Sequence, residues 1–122
     1  MVEFVKCEIT GLEFILWLLK RRHRMVVENQ SMLPTLNPGD EILVNRQAYA
    51  SRSPQVGEIV VLQDPRQASL LIIKRVVACV HGCVEVRGDN PAKSTDSRQF
   101  GLVPLELLHG KVTCIFSAKD RP

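Results

Sequence analysis

Three stretches of the chain hold side chains whose types and spacing suit bond-breaking chemistry. The first is Gln30-Ser31-Met32-Leu33-Pro34-Thr35-Leu36, where a serine enters a proline-containing turn. A serine hydroxyl on a rigid bend is a nucleophile only when a base lies within hydrogen-bond reach; otherwise Ser31 is simply a turn residue. Histidine is the usual base, and the chain has three: His23 in a basic run, His81 in a predicted hairpin turn and His109 beside Gly110. None sits in a carboxylate-rich segment that would orient it as in a Ser-His-Asp arrangement.

The second stretch is Leu70-Leu71-Ile72-Ile73-Lys74-Arg75-Val76-Val77. Strand alternation puts Lys74 on one face with Ile72 and Val76, and Arg75 on the other with Ile73 and Val77. If one face is the core, one cation is held against apolar surface. Burial disfavours an ammonium and lowers its pKa, which suits a lysine to act as a general base near neutral pH. Arginine cannot act so, because it stays protonated. The alternative is that Lys74 snorkels to the sheet edge. The third stretch, Gly88 to Gly101 (GDNPAKSTDSRQFG), is a polar loop of fourteen residues. That is long for a compact domain and rich in side chains that brace turns. Asp96 and Arg98 are spaced to form an ion pair that fixes it.

The elements that must position these residues are short and β-rich. Strands are predicted over Met25 to Glu28, Asp40 to Asn45, Gly57 to Gln63, Leu70 to Val80, Cys83 to Arg87 and Lys111 to Phe116. Turn signals at Asn37-Pro38-Gly39 and His81-Gly82 separate them, and Pro104 to Leu108 suits one helical turn before Gly110. The class this indicates is mainly β, a barrel or sandwich. The 122 residues, 45% hydrophobic and 24% charged, suit one soluble domain rather than a disordered or polytopic chain. Aromatics at 5% and a net charge of +3 give no footing for nucleic acid as a partner.

Residues 1–24 form a separate N-terminal segment ahead of a domain at 25–122. Ile9 to Leu19 is apolar and includes Glu13; Lys20, Arg21, Arg22 and Arg24 follow. The run is shorter than the ~20 residues a spanning helix needs, and its charge follows rather than precedes it, unlike a secretory signal. Leu12, Ile15, Leu16 and Leu19 share a helical face, so a short helix docked on the domain and an interfacial contact with anionic lipid both remain open. Cys7, Cys79, Cys83 and Cys114 make no repeated CxxC pair. Reduced thiols in a cytoplasmic protein are the simpler reading. Cys79-Val80-His81-Gly82-Cys83 reads as a hairpin, and no metal is assigned.

Taken together, QSMLPTL followed by PGD, IIKRVV, and GDNPAKSTDSRQFG followed by VPLELLHGKV resemble, in order, the motifs of the signal peptidase I superfamily of Ser/Lys-dyad proteases. The resemblance runs from about Val26 to Val112. It implies a fold of short, strongly bent antiparallel strands, shared with repressor-type domains. It implies Ser31 as nucleophile and Lys74 as general base, with Ser94 orienting the lysine and Asp96 and Arg98 bracing the loop. No metal or cofactor enters. The Ser31 N–H forms half of an oxyanion hole, Asn29 stands where relatives supply the other donor, and Met32 is the expected wall of the substrate pocket. The size of the chain, VENQSMLPTLNPGD and the GDNPAKSTDSRQFG loop look most like the small nickel-type superoxide dismutase maturation proteases. This implies an endopeptidase that removes an N-terminal extension from a superoxide dismutase precursor, the nickel belonging to the substrate. The alternatives are a minimal membrane-associated signal peptidase acting on exported proteins and a non-catalytic peptide-binding domain.

Overall fold

The structure is a computed structural model and describes residues 21–118. The expected helix over residues 9–19 lies outside the described residues. Among the described residues, seven strands form one sheet: β1 (His23–Val26), β2 (Glu41–Asn45), β3 (Ile59–Asp64), β4 (Gln67–Val80), β5 (Cys83–Arg87), β6 (Val103–Pro104) and β7 (Leu108–Phe116). Every pairing is antiparallel, in the order β1-β2-β7-β3-β4-β5-β6. The mainly-β expectation holds. Strand β1 starts inside the basic run, two residues before the strand expected there, because His23 and Arg24 pair with Val44 and Leu43.

Strand β3 explains why the sheet can hold a buried cation. Its residues Ile59 to Leu62 are all buried, so both of its faces are covered, and its sequence reads as a continuous apolar run. Ile59 and Val61 join Met32, Leu36, Ile42, Val44 and Val112 in one core cluster. Val60 and Leu62 join Ile72, Val76, Val84, Val86 and Val103 in a second cluster on the opposite face. Val60 lies opposite Lys74 and Leu62 opposite Ile72 in the β3–β4 ladder. The lysine therefore projects from a row whose neighbours are core aliphatics.

The β4–β5 connection is the hairpin the alternation predicts. His81 (φ 43°) and Gly82 (φ 80°) both take left-handed backbone, as a two-residue turn of the primed type requires. Cys79 and Cys83 flank it as free thiols. Cys114, buried on β7, is disulfide-bonded, which corrects the expectation of reduced thiols at that position.

The Gly88–Gly101 stretch is more ordered than a polar loop. It holds a 3-10 turn at Pro91–Lys93 and a short helix, α1, at Ser97–Phe100. Asp96 caps α1: its carboxylate accepts from the Arg98 N–H, and the Gln99 side chain accepts from the Asp96 N–H at 2.9 Å. This reciprocal pattern is a capping box, with Asp96 and Gln99 three residues apart. The spacing was present in the sequence and is the signal by which this helix start is readable.

Candidate active site

The Ser31 turn is anchored from below and clasped from the side. Met32 and Leu36 are buried in the first core cluster, and the Leu36 N–H donates to the Met32 carbonyl at 2.9 Å. At 1% exposure Met32 packs in the core and holds the turn down. From the side, Asn90 donates its backbone N–H to the Ser31 carbonyl at 2.9 Å and its side-chain amide to the Gln30 carbonyl at 3.0 Å. Gly88 fits between the turn and Ser94: a Cβ on it would stand 2.5 Å from the Ser31 carbonyl oxygen and 2.3 Å from Ser94 Oγ. Ser31 and Ser94 thus both close on the space where a side chain of Gly88 would stand.

Lys74 is 4% exposed and donates from Nζ to Ser94 Oγ at 3.1 Å. Ser94 Oγ in turn donates to Asp96 Oδ2 at 2.7 Å. A hydroxyl has one proton, and the Asp96 carboxylate takes it, so Ser94 can face Lys74 only as an acceptor. The relay fixes one amine N–H and leaves the rest of the lysine head group free to point elsewhere. Asp96 is fully buried and is gripped by Arg98 through Nε to Oδ1 (2.9 Å) and Nη2 to Oδ2 (2.8 Å). It also accepts from the Gly88 N–H at 3.0 Å. The Asp96–Arg98 pair therefore braces the stretch as its spacing indicates. Burial opposes ionisation of Asp96, but these donors outweigh it and hold the carboxyl far below the usual range.

Burial pushes the Lys74 ammonium below its ordinary pKa. Asp96 and Asp64 oppose that shift, while Arg66 and Arg98 reinforce it. The alternation argument left open whether Lys74 is held against the core or snorkels to the sheet edge. Lys74 is enclosed. Arg75, on the other face, sits bidentate on Asp89 (2.9 and 2.7 Å) and donates to the Gly57 carbonyl at 2.8 Å.

Sequence reasoning missed Asp89, Thr35, Gly88 and Asn90. Asp89 also accepts from Thr35 Oγ1 at 2.5 Å, tying the Ser31 turn to the lysine strand. The signal was the Gly88-Asp89-Asn90 opening of the polar stretch, whose residue types cannot name partners 54 positions away in the chain.

Asn29 differs from the expectation of an amide donor. Its Oδ1 accepts from the Ser31 N–H at 3.2 Å and from Ser31 Oγ at 3.0 Å. An atom that accepts from a backbone N–H is the carboxamide oxygen, so Asn29 turns an acceptor toward Ser31. The single hydroxyl proton of Ser31 is aimed at Asn29 rather than at Lys74.

A family model described as signal peptidase, peptidase S26, matches residues 9–82 and 79–117. The chain belongs to this family. The mouse mitochondrial inner membrane protease subunit 2 is 35% identical, over 78% of this chain and 67% of its own length. The Arabidopsis thaliana mitochondrial ATP-independent inner membrane protease subunit 1a is 33% identical, over 70% of this chain. The chain spans 64% of the length of that relative. The fission-yeast (Schizosaccharomyces pombe) subunit 1 is 32% identical, over 67% of this chain and 65% of its own length.

These relatives correct one expectation. Each is named as an inner-membrane protease, so the cytoplasmic placement based on composition and cysteines is overturned. They also give the superoxide dismutase maturation subtype no support. Among the described residues, no helix is long and apolar enough to cross a membrane.

Proposed function

We propose that this chain is a serine endopeptidase working at a membrane, where it trims precursor proteins, with Ser31 as nucleophile and Lys74 as general base. The observation that carries this reading is the relay Lys74 Nζ–Ser94 Oγ–Asp96 beside the Ser31 turn. It supports a buried amine held by one N–H, in surroundings that favour its neutral form. The relatives' names support a membrane setting over the superoxide dismutase precursor.

In the reaction, the neutral Lys74 amine takes the Ser31 hydroxyl proton as Oγ bonds to the scissile carbonyl carbon. The carbonyl oxygen becomes an oxyanion that the Ser31 N–H stabilises. Collapse breaks the C–N bond, and the Lys74 ammonium gives its proton to the departing amine. Lys74 then deprotonates a water that attacks the acyl-enzyme, and Ser31 is released with its proton restored. Asn29 Oδ1 occupies both Ser31 donors before substrate arrives, so the entering carbonyl displaces it. Asp89 keeps the serine turn and the lysine strand in register through Thr35 and Arg75.

The test is cleavage of a membrane-inserted precursor, in vesicles, by the full chain. Shortening by the wild type, with none by Ser31→Ala, is the expected result. A precursor cut equally well by Ser31→Ala overturns the reading, as does a precursor the wild type leaves intact. The second outcome points to the non-catalytic peptide-binding alternative.

A further inference from the structure

We propose that Asp64 and Arg66, at the tip of the β3–β4 hairpin, form a second positioning pair for Lys74, in addition to Asp96 and Arg98. The proposal rests on the reading of Lys74 as the base, and it adds to the residues assigned to that base.

The geometry is a close counterpart of the first pair. In Asp64-Pro65-Arg66, as in Asp96-Ser97-Arg98, an aspartate is gripped by the arginine two residues on. Arg66 donates from Nε to Asp64 Oδ1 at 3.1 Å and from Nη2 to Oδ2 at 2.8 Å, and its backbone N–H donates to Oδ1 at 2.8 Å. The Asp64 side chain is 2% exposed, whereas that of Arg66 is 55% exposed. A carboxylate is buried at a strand end only at a desolvation cost, and a core aliphatic would be cheaper there. Alternation along β3 puts Asp64 on the face of Val60 and Leu62, the residues opposite Lys74 and Ile72.

The two pairs are also joined to each other. The Arg66 guanidinium stacks over the Phe100 ring at 5.7 Å from its centroid, and Phe100 ends the helix that Asp96 caps. Arg66 thus fastens the hairpin tip to the element carrying Ser94's acceptor. Four charged groups act on Lys74: Asp96 and Asp64 favour its ammonium, while Arg66 and Arg98 disfavour it. Lys74 in turn favours the ionised form of Asp64. Desolvation is the largest influence on Lys74 and sets its direction, and each pair adds one group of either sign to its surroundings.

A pair that is only structural would give losses of one kind when either half is removed. A pair that sets the field at Lys74 gives opposite effects. The experiment is NMR of the full chain with ¹³Cε-labelled lysine, titrated with pH; Lys74 is identified among the six lysines by its absence in Lys74→Ala. Arg66→Gln uncovers the Asp64 charge and raises the Lys74 midpoint, whereas Asp64→Asn lowers it, each by about half a pH unit or more. Arg66→Lys keeps the cation and stays nearer the wild type. Because Arg66 is half exposed, Arg66→Gln is the variant expected to fold even if Asp64→Asn does not, and its upward shift alone decides the matter. Midpoints unchanged, or moved in the same direction by both substitutions, overturn the proposal. The readout needs no substrate, so it stands or falls separately from precursor cleavage: opposite shifts in a protein that cuts nothing would keep the pair and discard the protease reading.

Discussion

The α-carbon of Gly88 faces Ser94 so closely that a methyl group placed on it would come within 2.3 Å of Ser94 Oγ. The same methyl would meet the Ser31 carbonyl oxygen at 2.5 Å, and that is a backbone atom which cannot swing aside. Gly88 is needed here for space. Gly88→Ala is therefore expected to separate the serine turn from the lysine relay. A displacement of about 1 Å at reacting groups lowers rates by about 100-fold, and that loss in kcat/KM is the expected outcome of a precursor-cleavage assay. A variant that cleaves at the wild-type rate would show that the turn and the relay do not work together.

Lys74 gives a prediction with a definite sign in pH. Burial lowers its pKa below the ordinary 10.5, so cleavage should rise with pH along a limb that lies below that value. Lys74→Arg should be as inactive as Lys74→Ala, because arginine does not shed its proton. For stability, the folded state holds fewer protons than the unfolded chain between the depressed and ordinary values. Stability therefore increases as pH rises through that window. Lys74→Met removes the buried amine and should stabilise the fold at neutral pH by about 1 kcal/mol while abolishing cleavage. Thermal unfolding at pH 7 and pH 9 tests both halves.

Asp96 carries the opposite pH sign. Its folded-state pKa is depressed, so its contribution is present above the ordinary carboxylate value and is lost as pH falls toward the folded one. Asp96→Asn leaves Arg98 and the Ser94 hydroxyl without their carboxylate. It should cost about 3 kcal/mol, measurable by urea unfolding at neutral pH. The gap from wild type should narrow in acid.

Glu58 supplies a stability prediction outside the serine–lysine relay. It is buried, and its carboxylate accepts from Tyr49 Oη at 2.9 Å, from Arg52 Nη2 at 2.9 Å and from the Gln55 N–H at 2.9 Å. Lys111 lies 3.2 Å away. Burial opposes its ionisation, but these donors win and bring its pKa down to about 2 from 4.5. Acid should therefore erode the fold progressively across that interval. Tyr49→Phe removes one charge-assisted hydrogen bond and should cost about 1.5 kcal/mol at pH 7, with cleavage unaffected.

Asn29 can be tested without substrate. Its Oδ1 accepts both the Ser31 N–H and the Ser31 hydroxyl proton. Asn29→Ala should release both and speed fluorophosphonate labelling of Ser31 several-fold. Slower labelling would instead assign Asn29 a donor role once a ligand is bound.

Much of this was legible in the residues. Period-2 alternation placed Lys74 with Ile72 and Val76, and all three are buried on one face. The His81-Gly82 turn and the strand at Cys83–Arg87 follow from local turn chemistry, which needs no distant partner. The Asp96–Arg98 pair lies within two residues, so its spacing alone indicates it. Met32 was harder to place, because an apolar residue next to Ser31 suits a pocket wall and a core anchor equally well. Burial, which chooses between them, is a property of the folded chain. The two-residue strand β6 left no periodic signal to read, since two residues cannot show alternation.

The sequence by itself determined which groups exist for chemistry and which local shapes carry them: a serine before a proline turn, a lysine in an apolar strand, an aspartate starting a helical turn. Local propensity and alternation act over a few residues, so they are readable there. The tertiary structure decided which groups meet. It enclosed Lys74 rather than Arg75, closed Ser31 and Ser94 onto Gly88, tied Thr35 to Asp89, and brought Arg66 onto Phe100. Those contacts join residues far apart in the chain. Their energies depend on desolvation and close packing, which arise only when both faces of β3 are covered.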